Sequence, residues 1–237
     1  KIKNDAVLLK SEYGINFFLI PLRGLKAKSR FKLSIFIHNM NYLAHAYLSF
    51  NKPEILVGNM ISDYIKGKKQ FNYPLPVQIG IRLHRAIDNF TDKHEATAAV
   101  KKLFRPDYRL YSGAFTDVVY DYFLANDRQE FSSAEALMQF SQNTFDLLEK
   151  QQQWFAPRFA AMFPYMKSQN WLYHYQYDEG IQKSMEGLRR RSLYIKETQT
   201  AYQVFLANKV VIKKEYDLFF PKLKQYTADL LYNLLAY

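Results

Sequence analysis

The side chains best suited to chemistry in this sequence include a histidine and two aspartates spaced four residues apart. If His84, Asp88 and Asp92 lie on a helix, their side chains rise in one stripe, each about one turn from the next. Imidazole and carboxylate groups at this spacing suit a cation such as Mn, Fe, Zn or Mg. A single His–Asp pair at this spacing is more often part of a solvated helix face. The metal interpretation therefore requires further ligands.

Two further polar residues lie in segments that should be buried. His45 lies within 42–48, YLAHAYL, and Asp63 is the one charged residue within 58–65, GNMISDYI. A hydrogen-bonded core histidine is the ordinary alternative for His45. Asp63 is surrounded by apolar neighbours, and burying an unpaired carboxylate is costly. Both residues are therefore candidates for the same site.

Two carboxylates also lie inside the aromatic segment 115–124, FTDVVYDYFL. Asp117 and Asp121 stand one helical turn apart there. Asp121 could instead bind a tyrosine hydroxyl or pair with an arginine, and that alternative stays open. One shared metal site accounts for all of these buried polar residues together, because a bound cation offsets the cost of burying them.

The elements that must position these residues are predicted to be helices. Apolar residues recur at spacings of three and four from Met40 onward, and no alternating strand pattern occurs. Gly67 suits a left-handed cap, and Ser132 with Glu135 suits a capping box. The pattern predicts one all-α, single-domain helical bundle. Its predicted helices cover about 40–50, 53–65, 79–92, 106–124, 132–148, 155–164, 178–191, 194–208 and 221–235.

The first 39 residues differ from the rest. They hold eight Lys or Arg against two acidic residues, a net charge of +6 out of +11 for the chain. Their apolar residues have no sustained period, and the stretch 15–22 is too short and too interrupted for a membrane span or a secretory signal. We interpret 1–39 as an extension or a misplaced start that packs poorly, and 40–237 as the functional domain. An amphipathic segment lying on a surface is the alternative for 1–39.

Composition excludes several classes of protein. Hydrophobic residues make up 49% of the 237 residues and aromatic residues 17%, which is too apolar for a disordered chain. The chain has no cysteine, so a metal must be held by Asp, Glu, His or water. The GxxxxGK[ST], HExxH and GxSxG motifs are absent. P-loop nucleotide hydrolases, zincins and serine esterases therefore have no motif support.

Four ordered segments resemble the acyl carrier protein phosphodiesterase family, which is distantly similar to the HD-domain phosphohydrolases. They are 40–45, MNYLAH; 58–63, GNMISD; 83–92, LHRAIDNFTD; and 117–124, DVVYDYFL. The resemblance implies an HD-like helical fold. It also implies hydrolysis of the phosphodiester that links 4′-phosphopantetheine to a serine of acyl carrier protein, in the cytoplasm. Manganese is the implied metal, with Mg²⁺ or Fe²⁺ as alternatives.

The resemblance also implies roles for individual residues. Asp63 takes an essential acidic role, and Arg85 is placed to offset phosphate charge. Asp92 and Asp117 could bind metal, orient a ligand or hold the attacking water. The implied metal ligands are His45, Asp63, His84, Asp88 and Asp121.

The expected protein partner is the acidic acyl carrier protein, with no nucleic-acid or membrane partner. Basic residues near the end of a predicted helix are candidates for docking it: Lys183, Arg189, Arg190 and Arg191. Two other functions remain as alternatives. One is a related phosphohydrolase that acts on a nucleotide or another small phosphoester. The other is a non-catalytic nucleic-acid-binding protein, supported by a pI near 9.5 but by no recognition motif.

Overall fold

A computed structural model describes residues 42–236, and within that range every regular element is a helix. The predicted all-α fold is confirmed for this part of the chain. The predictions for residues 1–39 and for Met40 lie outside the described residues. The α-helices are α1 (Tyr42–Tyr47), α2 (Pro53–Ile61), α3 (Leu75–Lys93), α4 (Glu95–Tyr108), α5 (Ser112–Ala125), α6 (Ala134–Glu149), α7 (Pro157–Ser168), α8 (Trp171–His174), α9 (Asp178–Arg191) and α10 (Gln199–Leu235).

Helices α2 and α3 pack backbone against backbone through two glycines. A Cβ atom on Gly58 would lie 2.1 Å from the carbonyl oxygen of Val77, and one on Gly80 would lie 2.2 Å from that of Ile55. No side chain fits at either position, because ordinary contacts to a Cβ exceed 3 Å. The two glycines thus set the distance between α2 and α3. The turns that follow them along the chain carry polar residues.

Helix α3 is amphipathic, and its buried stripe runs into the polar residues predicted from the sequence. Val77, Ile81, His84, Ile87 and Thr91 all lie on the buried face. This spacing of three and four is that of a helix with one side against the core. The fold therefore turns His84 inward.

Helix α5 is the most enclosed long element, with almost every residue from Ser112 to Ala125 buried. Helix α10 packs against α3, α4 and α5, and it continues through Pro221, although Asn208 departs from helical geometry. None of the helices in residues 42–236 is both long and apolar enough to cross a membrane.

Several predicted helix boundaries were wrong. Pro106 lies in the last turns of α4, a helix that the sequence pattern did not predict, and the chain turns at Arg109 (φ 45°) before α5 begins. Ser133, rather than Ser132, caps α6, because its hydroxyl accepts the N–H of Ala136. Gly67 does adopt a left-handed φ of 56°, but it opens a 3₁₀ turn.

The predicted helix over 53–65 is shorter than expected. Helix α2 ends at Ile61, and a 3₁₀ turn covers Ser62–Tyr64. Asp63 therefore lies on this tighter turn, beyond the end of α2.

Candidate metal centre

Four of the five predicted metal ligands converge. Nε2 of His84 lies 3.2 Å from Oδ1 of Asp63 and 3.2 Å from Oδ2 of Asp88. Nε2 of His45 lies 3.3 Å from Oδ1 of Asp88, and the two imidazole rings stack with centroids 4.0 Å apart. These four residues form what we call the His–Asp cluster. His45, His84 and Asp88 each offer one ligand atom, and these atoms lie within 4.8 Å of one another.

Three separate elements build the His–Asp cluster. His45 comes from α1, Asp63 from the 3₁₀ turn after α2, and His84 and Asp88 from consecutive turns of α3. The histidine side chains are almost fully buried, whereas those of Asp63 and Asp88 are 21% and 27% exposed. The cluster thus has a buried imidazole side and a carboxylate side that solvent reaches.

Asn59, which was not among the predicted site residues, determines the tautomer of His45. Its Nδ2 donates to the carbonyl oxygen of His45 (2.9 Å) and to Oγ of Ser49 (3.1 Å), so its Oδ1 must be the acceptor. That Oδ1 lies 2.7 Å from Nδ1 of His45. Nδ1 therefore carries a proton, and in the neutral imidazole Nε2 then presents a lone pair toward Asp88. The only signal in the sequence was an amide inside an apolar segment.

Replacing Asn59 with leucine should weaken Mn²⁺ binding about 10- to 100-fold, which is the usual effect of losing the partner that orients a ligating histidine. Ser49→Ala is the matched control, because Ser49 contacts the same amide without touching the imidazole. Calorimetric titration with Mn²⁺ measures both variants. Unchanged affinity in Asn59→Leu, with a native Tm, would contradict the assigned role.

The charges of the cluster depend on one another. Burial lowers the pKa of His84, but the Asp88 and Asp63 carboxylates outweigh it and raise that pKa to about 10. Burial opposes ionisation of Asp88, yet the charge of His84 outweighs it and holds the pKa of Asp88 well below the usual range. Burial, and then the charge of His84, lowers the pKa of His45. A protonated His84 thus faces an ionised Asp88, beside a neutral His45.

Two buried atoms of the cluster suit a cation. Within residues 42–236, Nε2 of His45 and Oδ1 of Asp88 have no hydrogen-bond partner, although they lie 3.3 Å apart. A lone pair and a carboxylate oxygen facing each other repel unless a positive charge lies between them. Imidazole and carboxylate donors also suit first-row divalent metals. The residues present therefore fit a divalent metal.

Asp121 has a different role from the metal ligand that was expected. Its Oδ2 accepts the N–H of Leu43 (3.1 Å), and its Oδ1 accepts the N–H of Ala44 (2.9 Å). Burial raises the pKa of Asp121, and these two amide contacts oppose the rise. Both oxygens are engaged at the start of α1, where the first N–H groups of a helix lack intrahelical partners. Asp121 therefore positions the helix that carries His45.

Two predicted catalytic aspartates lie apart from the contacts of the cluster. Asp92 is 63% exposed and pairs with Nζ of Lys101 at 2.6 Å. Asp117 is buried, and its Oδ2 has no hydrogen-bond partner among the described residues. Burial, and then the charge of Asp88, raises the pKa of Asp117 well above its usual value. Asp92 thus pairs outside the cluster, while Asp117 is buried and its pKa responds to the charge of Asp88.

Arg85, the predicted phosphate-binding residue, forms hydrogen bonds with the segment that follows Asp63. Its Nη2 donates to the carbonyl oxygen of Ile65 (3.1 Å), and its Nη1 donates to Oε1 of Gln70 (2.8 Å). Both partners are neutral, so the guanidinium keeps its full charge. Arg85 therefore holds a positive charge next to His84 in the chain.

The basic residues of α9 are largely paired within their own helix. Nζ of Lys183 lies 2.7 Å from Oε1 of Glu179. Glu186 pairs with both Arg189 (2.6 Å) and Arg190 (3.4 Å). Arg191, the last residue of α9, makes no ion pair within residues 42–236. Two glutamates thus offset much of the predicted docking charge.

The fold and the cluster define an all-α protein with a candidate metal centre of the kind that serves hydrolysis. The family model for acyl carrier protein phosphodiesterase matches residues 40–223, and the chain belongs to that family. A relative from Enterobacter sp. (strain 638), named acyl carrier protein phosphodiesterase, is 27% identical over 78% of this chain and 95% of its own length. One of the same name from Klebsiella pneumoniae (strain 342) is 28% identical with the same coverage. No solved structure gave a significant match.

Proposed function

We propose that this protein hydrolyses the phosphodiester bond between 4′-phosphopantetheine and the serine of holo acyl carrier protein, releasing the arm and apo carrier protein. Membership of the acyl carrier protein phosphodiesterase family supports the substrate. The His–Asp cluster supports the chemistry, because phosphodiester hydrolysis needs a charged centre and an activated water.

The observation that carries the proposal is the unsatisfied pair formed by Nε2 of His45 and Oδ1 of Asp88. Asn59 keeps a proton on Nδ1, and burial lowers the pKa of His45, so in the neutral ring Nε2 holds a lone pair and the pair consists of two acceptors 3.3 Å apart. A purely structural core histidine would place a donor there. This pair is arranged for a cation, and the cluster is reached from solvent through its carboxylates.

His45, His84 and Asp88 would hold the metal, with Asp63 at the solvent-exposed edge of the group. His84 would release its proton when the metal binds, because only a neutral imidazole is a ligand. We propose Mn²⁺, with Mg²⁺ or Fe²⁺ as alternatives, because the ligands are imidazole and carboxylate and the chain has no thiolate. When bound, such a metal polarises a phosphoryl oxygen and lowers the pKa of a water toward neutrality.

The other steps belong to the residues of the chain. Asn59 keeps the proton of His45 on Nδ1, and Asp121 holds α1 so that His45 faces Asp88. Asp63 is partly exposed, so its carboxylate can accept a proton from the attacking water. Asp117 adds a buried carboxyl close to Asp88. We propose that Asp63 is the base.

Incubating the protein with holo acyl carrier protein tests this function. Protein stripped with EDTA should leave the carrier intact. Adding Mn²⁺ should restore the loss of the phosphopantetheine mass from the carrier. Intact-protein mass spectrometry detects the change directly. Full release by the metal-free protein, or no release with any of Mn²⁺, Mg²⁺ or Fe²⁺, would contradict the proposal.

A further inference from the structure

A strongly basic stretch of the chain borders the His–Asp cluster. Residues 65–87 contain five Lys or Arg and no Asp or Glu. Helix α9, by comparison, contains four basic and three acidic residues. Residues 65–87 therefore carry a larger net positive charge than α9.

Hydrogen bonds tie this stretch to the edge of the cluster. Arg85 follows His84 in α3, and its guanidinium contacts the carbonyl oxygen of Ile65, two residues beyond Asp63. The same guanidinium contacts the side chain of Gln70 in the loop. The loop is thus attached to α3 close in the chain to Asp63 and His84, whose Oδ1 and Nε2 atoms lie 3.2 Å apart.

Two large apolar side chains are exposed among these basic residues. Phe71 is 60% exposed and Leu75 is 58% exposed. Phe71 follows Gln70 in the loop. Leu75 is the first residue of α3, and Arg82 lies on the same face of that helix two turns later. Aromatic and aliphatic groups surrounded by polar residues are typical of protein interfaces. We name this region the loop–α3 surface: Lys68, Lys69, Phe71, Leu75, Arg82 and Arg85.

The charges of the loop–α3 surface are available to a partner. Among the ion pairs within residues 42–236, none involves Lys68, Lys69, Arg82 or Arg85. On α9, in contrast, Glu186 alone pairs with two arginines. An acidic partner would therefore meet a stronger field at the loop–α3 surface than at α9.

We propose that the loop–α3 surface docks the acidic carrier protein during catalysis, an inference that rests on the proposed function. The bond to be broken joins the arm to the carrier's own serine. The carrier protein must therefore lie directly against the opening of the cluster, so a surface fastened to Ile65 and next to His84 meets this requirement. The positive residues orient the acidic partner, and Phe71 and Leu75 contact its apolar groups.

Charge reversal at two exposed lysines tests the proposal. The double variant Lys68→Glu, Lys69→Glu should raise the KM for holo carrier protein about tenfold at low salt with little change in kcat. Its salt dependence should also be flatter than that of the unmodified protein, because encounter between opposite charges is screened by salt. The matched control reverses two charges on α9, Lys183→Glu with Arg190→Glu. It should change the KM less than about twofold, since these residues are already paired.

The outcomes separate this surface from the proposed function. If the unmodified protein releases phosphopantetheine and the loop variant keeps its KM and salt dependence, the surface assignment is wrong and the function stands. A larger effect of the α9 control than of the loop variant would overturn the surface in the same way. If the unmodified protein releases nothing, the proposed function fails first. Circular dichroism of each variant confirms that the comparison is between folded proteins.

Discussion

Asp88→Ala is expected to abolish both Mn²⁺ binding and release of phosphopantetheine. Within residues 42–236, Asp88 is the one carboxylate that approaches both histidines, with Oδ1 3.3 Å from His45 and Oδ2 3.2 Å from His84. Losing it removes a proposed ligand and leaves the two imidazoles without the negative charge between them. A bound metal would supply several kcal/mol of transition-state stabilisation, so kcat should fall on the order of 10³-fold or more. Mn²⁺ titration and single-turnover assays measure the two effects.

The matched control is Asp92→Ala, the same change one helical turn further along α3. Asp92 is exposed and pairs with Lys101, away from the contacts of the cluster. Its loss should leave Mn²⁺ affinity and kcat within about threefold, because an exposed ion pair contributes little. Equal losses in the two variants would show that Asp92 belongs to the centre, and retained Mn²⁺ binding in Asp88→Ala would refute the ligand assignment.

Gly80→Ala is expected to destabilise the protein by about 3 kcal/mol, at the upper end of the effects of overpacking. The added Cβ would lie 2.2 Å from the carbonyl oxygen of Ile55 and 2.9 Å from the backbone nitrogen of Asn59, and neither atom can move without shifting α2. Since Asn59 holds His45, the same shift should weaken Mn²⁺ binding. Urea denaturation gives the free energy of unfolding, and Mn²⁺ titration gives the second effect.

Gly113→Ala is the control for this change. A Cβ at Gly113 would meet only the side chain of Lys101, at 3.2 Å, and the end of a lysine can move aside. Alanine is favoured over glycine within a helix, so this variant should be neutral or more stable by up to about 1 kcal/mol. Equal stability of the two variants would mean that the close approach of α2 and α3 is not required.

The sequence alone was sufficient for features that depend on neighbouring residues. The spacing of three and four in α3 predicted the helix, and the separation of four predicted that His84 and Asp88 would act together. Pro106 misled the prediction, because a proline that usually starts a helix lies near the end of α4. Apolar surroundings correctly marked His45 as a buried polar residue, whereas Asp63 is partly exposed.

Only the tertiary structure decided which of these residues meet. Asp92 follows Asp88 by one helical turn, just as Asp88 follows His84, yet it is exposed and pairs with Lys101 of α4 instead of joining the cluster. Asp121 is as apolar in its surroundings as Asp63, yet it faces the start of α1 and binds two amides. Asn59 orients His45 across a separation of 14 residues. A local pattern states that a polar group needs a partner, but the partner is determined by how the helices pack.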